Sequence, residues 1–128
     1  MIKLRGRAIC RGKARGLALV SLAPIGFLGG VDAETGVVME TGHPLEGQCI
    51  AGRVLVFPTG KGSTVGSYTL YRLARRGKAP VAIINARSEA IVAVGAIMAG
   101  IPMVDQVDIA QIHTGDMIEI DGEEIVIA

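Results

Sequence analysis

The stretch Gly52-Arg-Val-Leu-Val-Phe-Pro-Thr-Gly-Lys-Gly-Ser-Thr-Val-Gly-Ser-Tyr-Thr-Leu-Tyr71 changes its hydrophobic pattern twice. Val54–Phe57 is an unbroken apolar run, which predicts a short strand buried on both faces. Pro58 cannot continue a central strand, and Gly60 and Gly62 permit positive φ, so Pro58–Gly62 is expected to be a tight loop. From Thr64 to Arg76 the spacing is helical. Gly66, Leu70, Leu73 and Ala74 share one face, Gly66 is expected to let the helix approach its strand, and Gly77 suits C′. Strand, glycine loop and helix N-terminus in succession gather backbone N–H groups into a nest that favours an anion. Ser63, expected at the N-cap or in the first turn, carries a hydroxyl into that nest.

Outward from this stretch the pattern repeats. Pro80–Ile84 reads as a second buried strand and Ile101–Val104 as a third. Between them, Ser88 is expected to cap a helix over Glu89–Ala99 that Gly100 and Pro102 end. That helix is apolar on every side, which predicts cover on more than one face. Residues 53–104 therefore spell βαβαβ, and short parallel strands follow from the helical crossovers. Residues 2–10 and 15–22 read as two strands around Arg11-Gly12-Lys13-Ala14, and residues 23–36 are irregular. Val37–Glu40 reads as a short strand before the loop Thr41–Leu45. Met117–Ile120 and Glu123–Ile127 form a closing hairpin around Asp121-Gly122, a favoured type I′ pair. The fold class expected is α/β, one domain over 1–128, with a βαβαβ centre between β-rich ends.

Composition narrows the function. Half the residues are hydrophobic but only 3% are aromatic, so the core must come from Val, Ile, Leu and Ala. A mean hydropathy of +0.48 is high for a domain of this size and predicts a large partner interface. The net charge of +1 argues against general affinity for nucleic acid or an anionic membrane. Six cations precede the apolar Gly16–Val31, yet Lys3, Arg5 and Arg7 alternate as in a half-buried strand. Pro24, Gly26, Gly29 and Gly30 also interrupt the apolar run, so no targeting segment is expected. Cys10 and Cys49 lack any CxxC spacing and are expected to be buried thiols in a cytoplasmic protein. His43 and His113 each lie in a loop without a paired carboxylate or second histidine, and structural roles are expected for both.

Two familiar uses of the central loop fail on phasing. A phosphate-binding GxxxxGK[ST] loop needs lysine next to the hydroxyl, but Gly62 separates Lys61 from Ser63. Gly60, Gly62 and Gly66 give GxGxxxG rather than the dinucleotide GxGxxG. A serine acting as proton acceptor remains, with limits set by magnitude. A helix N-terminus contributes up to about 2 kcal/mol, or roughly 1.5 pKa units. A serine hydroxyl needs far more to ionise near neutrality. Lys61, exclusion of water and a cationic or metal-bound group supplied from elsewhere would have to assist.

The run Leu55-Val-Phe-Pro-Thr-Gly-Lys-Gly-Ser-Thr-Val-Gly-Ser-Tyr68 resembles the small subunits of the archaeal aconitase X family. Phe27–Asp32, Thr35-Gly36, His43–Gly47, Gly77–Pro80, Gly95-Ala96 and Gly100–Pro102 are similar to the family as well. The resemblance implies a swivelling β/β/α domain like the mobile domain of aconitase. It implies a hydro-lyase active only with a large subunit that holds an iron–sulfur cluster of the 4Fe-4S type, this chain binding no metal. The implied reaction dehydrates (R)-5-phosphomevalonate, a phosphorylated hydroxy acid, to trans-anhydromevalonate 5-phosphate on the archaeal mevalonate route to isoprenoids. The family's proton-acceptor serine matches Ser63, with Gly60, Lys61, Gly62, Thr64 and Ser67 as the neighbouring candidates for substrate contact. A related dehydratase acting on a hydroxyproline is the alternative within that superfamily. A phosphohistidine swivelling domain would need a histidine close after Gly29-Gly30, where the first is His43. An RNA-binding module would need more stacking aromatics than this chain has.

Overall fold

The computed structural model describes residues 1–128. Its strands are β1 (Ile2–Arg5), β2 (Arg7–Cys10), β3 (Lys13–Val20), β4 (Val54–Phe57), β5 (Ala82–Asn85), β6 (Met103–Asp105), β7 (Met117–Asp121) and β8 (Glu124–Ile127). The helices are α1 (Gly66–Arg75) and α2 (Ala90–Ala99), with a 3-10 turn at Ile109–Gln111. The expected βαβαβ unit is present, because β4, β5 and β6 pair in parallel and each crossover carries one helix. Successive right-handed crossovers in one direction put both helices on the same face of the sheet.

The strand order is β1-β8-β7-β3-β4-β5-β6-β2. Its two ends, β1 and β2, are consecutive in the chain and separated only by Gly6, so the sheet curls back towards itself. The parallel strands alternate strictly between two cores. Leu55, Phe57, Ile83 and Met103 face α1 and α2, together with Leu70, Leu73, Val92 and Ala96. Val54, Val56, Ala82, Ile84 and Val104 face inward against Ile118, Ile120, Ile125 and Ile127 of the closing hairpin. The layers are therefore β, β and α, the swivel-domain architecture that the resemblance implied.

The structure corrects several expectations. Residues 2–10 and 15–22 form no hairpin with each other; β1 pairs with β8, β2 with β6, and β3 with β7 and β4. The cause is Gly6, where a Cβ would lie 2.3 Å from the Asp105 carbonyl oxygen. Only glycine lets the chain pass there and change neighbours. The closing turn is Gly122-Glu123, since Asp121 still pairs with Glu124. Gly122 alone has positive φ there, which fits a II′ turn rather than I′. Val37–Glu40 forms only isolated bridges, Val38 to Val31 and Val37 to Cys49.

The helices also depart in detail. Ser88 does not cap α2; the Glu89 carboxylate does, accepting from the N–H groups of Ile91 at 2.9 Å and Val92 at 3.2 Å. The close approach assigned to Gly66 belongs to Gly95, where a Cβ would meet Ser67 Cα at 3.1 Å and Leu70 Cδ1 at 2.9 Å. So the tight contact is helix against helix. Gly77 does close α1 with positive φ, and the Lys78 N–H returns to the Leu73 carbonyl. On α2 only Val92, Gly95 and Ala96 are buried. Val94, Ile97 and Met98 remain exposed, as do Val65 just before α1 and Tyr68 and Tyr71 within it, so this chain alone does not supply the cover expected for α2.

Candidate active site

The central loop leaves the carboxyl end of β4, the edge of a parallel sheet where ligands bind in open α/β folds. Its first half is clamped. The Ile25 N–H donates to the Thr59 carbonyl at 3.2 Å, and the Lys61 N–H donates to the Ile25 carbonyl at 3.1 Å. Gly60 is pressed on the start of α2: a Cβ there would lie 2.4 Å from Val92 Cγ2 and 2.9 Å from Glu89 Oε1. Gly62 has φ of +101°, a conformation that a side chain would strain. Both glycines are thus required by geometry, one for space and one for conformation.

Ser63 is exposed and lies before the helix, not at its cap. The cap position is Val65, which has no side-chain cap bond, and α1 begins at Gly66. The Ser63 Oγ accepts from the Val65 N–H at 3.2 Å, while the Ser63 carbonyl accepts from the Gly66 N–H at 2.9 Å. The N–H groups of Gly62, Ser63 and Thr64 donate to no acceptor in the chain. Three consecutive free donors therefore stand in the chain beside an exposed hydroxyl, the donor set an anion nest needs. Thr64 is exposed, and Ser67 is buried with its hydroxyl donating to the Thr64 carbonyl at 3.1 Å. Lys61 Nζ does not reach over the loop unaccompanied. It pairs with Glu40 Oε2 at 3.0 Å, a partner that sequence spacing had not suggested.

Two buried polar groups brace this edge. Asn85, fully buried at the end of β5, donates from Nδ2 to the Phe57 carbonyl at 3.0 Å and to the Ile84 carbonyl at 3.2 Å. It therefore ties down the residue from which the loop departs. Its Oδ1 is buried without a partner. Asp105, at the end of β6 and 1% exposed, accepts a fork from Arg7, Nε to Oδ1 at 3.0 Å and Nη2 to Oδ2 at 2.8 Å. The Ser88 hydroxyl adds a 2.7 Å bond to Oδ2. Burial pushes the Asp105 carboxyl up, but the Arg7 and Ser88 hydrogen bonds more than offset it and hold the carboxyl below its ordinary range. A polar residue closing an apolar strand, Asn85 or Asp105, is the one signal the sequence offered for either group.

The remaining candidates are structural. His43 is buried; its Nδ1 accepts from the Leu45 N–H and its Nε2 lies 3.0 Å from the Pro24 carbonyl, so it ties two loops together. His113 is exposed and, contrary to expectation, has a carboxylate beside it: its main-chain N–H donates to Asp116 at 2.8 Å and its Nδ1 lies 3.8 Å from the same oxygen. Both cysteines are free thiols, but neither is fully buried, and Cys49 is exposed, contrary to expectation. No group of three or more His, Cys, Asp or Glu side chains could hold a metal ion. No helix is long and apolar enough to cross a membrane. Open cavities of about 420 Å³ beside Lys13 and Asp121, and about 440 Å³ beside Leu22 and Ile109, both exclude the loop. Residues 61–65 of the loop are exposed on the surface.

Comparison with known proteins identifies relatives over nearly the whole chain. The aconitase X swivel domain model matches residues 3–128. The phosphomevalonate dehydratase small subunit of Thermococcus gammatolerans is 54% identical over 123 residues, covering 96% of this chain and 94% of that protein. The protein of the same name from Methanosarcina acetivorans is 54% identical over 126 residues, covering 96% and 88%. The crystal structure of Thermococcus kodakaraensis aconitase X in its holo-form superposes with a TM-score of 0.98 at 52% identity, over 100% of this chain and 99% of that one.

Proposed function

The chain belongs to the aconitase X swivel-domain family, and from that premise we propose that it is the small subunit of a phosphomevalonate dehydratase. It is a hydro-lyase subunit, one swivelling domain over 1–128, working in the cytoplasm with a large subunit. The reaction is the loss of water from (R)-5-phosphomevalonate to give trans-anhydromevalonate 5-phosphate. The observation that carries the reading is the exposed Ser63 hydroxyl beside three unsatisfied N–H donors on an otherwise clamped loop.

In this reading Ser63 takes the proton from the carbon next to the substrate carboxylate. The N–H groups of Gly62, Ser63 and Thr64 hold the charge that develops there, on the serine oxygen or a carboxylate oxygen. Lys61, held by Glu40, adds a positive charge at a fixed position. Gly60 seats the loop, and Ser67 acts through the Thr64 carbonyl rather than by touching substrate. This chain's residues do not fit an iron–sulfur cluster, since its only cysteines are Cys10 and Cys49 and no ligand cluster exists. A cluster held by the large subunit would supply Lewis acidity for loss of the hydroxyl. Reconstitution with the large subunit tests the proposal: the pair should dehydrate phosphomevalonate, and neither chain alone should. Turnover of hydroxyproline but not phosphomevalonate by the pair would move the assignment to the related dehydratase.

A further inference from the structure

We infer that Arg87 binds the phosphate group of the substrate, a subsite resting on the reading above. The cations near the carboxyl ends of the parallel strands are otherwise engaged. Arg7 is forked on Asp105 and Lys61 is paired with Glu40. Arg87 is exposed in the turn between β5 and α2 and makes neither an ion pair nor a side-chain hydrogen bond. Its main chain is fixed against the central loop, since its N–H donates to the Pro58 carbonyl at 3.0 Å. That bond ties the turn carrying Arg87 to Pro58, the first residue of the loop that carries Ser63.

The chemistry asks for an anion at that place. A site that pairs with a second subunit excludes water, and a guanidinium left there without a counter-charge is costly. Phosphomevalonate carries its phosphate five bonds from the carbon that loses the proton, so a serine and a phosphate anchor must lie close together but apart. A planar guanidinium accepts a phosphate by two parallel hydrogen bonds. A carboxylate of the large subunit is the competing occupant, and the two differ in what they predict for an unphosphorylated substrate.

The test is Arg87→Met in the reconstituted two-subunit enzyme, assayed with phosphomevalonate and with mevalonate. The side chain has no hydrogen bond or ion pair to lose, so Tm should be unchanged. For phosphomevalonate kcat/KM should fall on the order of 10²-fold, chiefly through KM. For mevalonate it should not change; if mevalonate turnover is too slow to follow, its Ki against phosphomevalonate should not change. Arg87→Lys should recover part of the loss. Equal losses for both substrates would overturn the inference in favour of a subunit contact, and a loss below threefold for phosphomevalonate would overturn it outright. If the wild-type pair does not turn over phosphomevalonate at all, the proposed function fails first, and the phosphate subsite with it.

Discussion

Replacing Ser63 by Ala separates a catalytic hydroxyl from a structural one, because the structure limits what the structural role can be worth. The Oγ accepts one exposed hydrogen bond, from the Val65 N–H at 3.2 Å, and it caps no helix. Loss of such a bond costs about 0.5–1.5 kcal/mol, and the exposed N–H it releases can turn to water. Folding and subunit affinity should therefore stay near wild type. Removing a general base costs about 10²–10⁴-fold in rate. The expected result for Ser63→Ala is a fall of that size in kcat with KM little changed, since the hydroxyl acts in the transition state rather than in binding. The assay is formation of the unsaturated phosphorylated acid by the reconstituted pair, with subunit association measured in parallel. Solvent deuterium exchange at the carbon next to the carboxylate gives a second readout, which should disappear together with turnover. If Ser63→Ala keeps kcat within threefold while the subunits still associate, Ser63 is not the proton acceptor and the mechanism must use another group.

Three further expectations concern the frame around the loop. Gly60→Ala should destabilise by about 1–3 kcal/mol in urea denaturation through its overlap with Val92, and adding Val92→Ala should return part of that loss; an additive double variant would refute the contact. Gly95→Ala gains about 1 kcal/mol of helix propensity but crowds the Ser67 backbone, so the net effect should be a loss of up to about 2 kcal/mol; a stabilised variant would mean α1 and α2 sit further apart. The Asp105 carboxyl is held below its unfolded value, so its stabilisation is complete above the ordinary carboxylate range and is lost as pH falls through the folded-state pKa. Thermal denaturation of Asp105→Asn should accordingly lie below wild type at neutral pH and approach it in strong acid; a gap that stays constant over pH would show that the charge is not what matters.

What the sequence made legible was local, and what it hid was a competition between local and distant partners. Val54–Phe57, the glycine loop and the βαβαβ order could be read because apolar runs and glycines act on their own neighbourhood. The alternation at residues 2–10 identified strands correctly, yet their partners depend on crowding at Gly6 by a residue 99 positions away, Asp105. Ser88 has the composition of a cap, but Asp105 takes its hydroxyl and Glu89 caps in its place. Arg7 alternates with Lys3 and Arg5 like any cation of a half-buried strand, yet it is forked on that same buried carboxylate. The correction that matters most for chemistry is at Ser63. With α1 beginning at Gly66, the serine precedes the first turn, and the dipole's influence fades beyond that turn. In the proposed mechanism, charge developing at Ser63 would then be met by the free N–H groups of Gly62, Ser63 and Thr64 and by Lys61. These donors lie on an open surface, where water competes for them and weakens each one. Under the proposed pairing, a large subunit docked over this edge would remove that water and give Ser63 the environment a serine base needs.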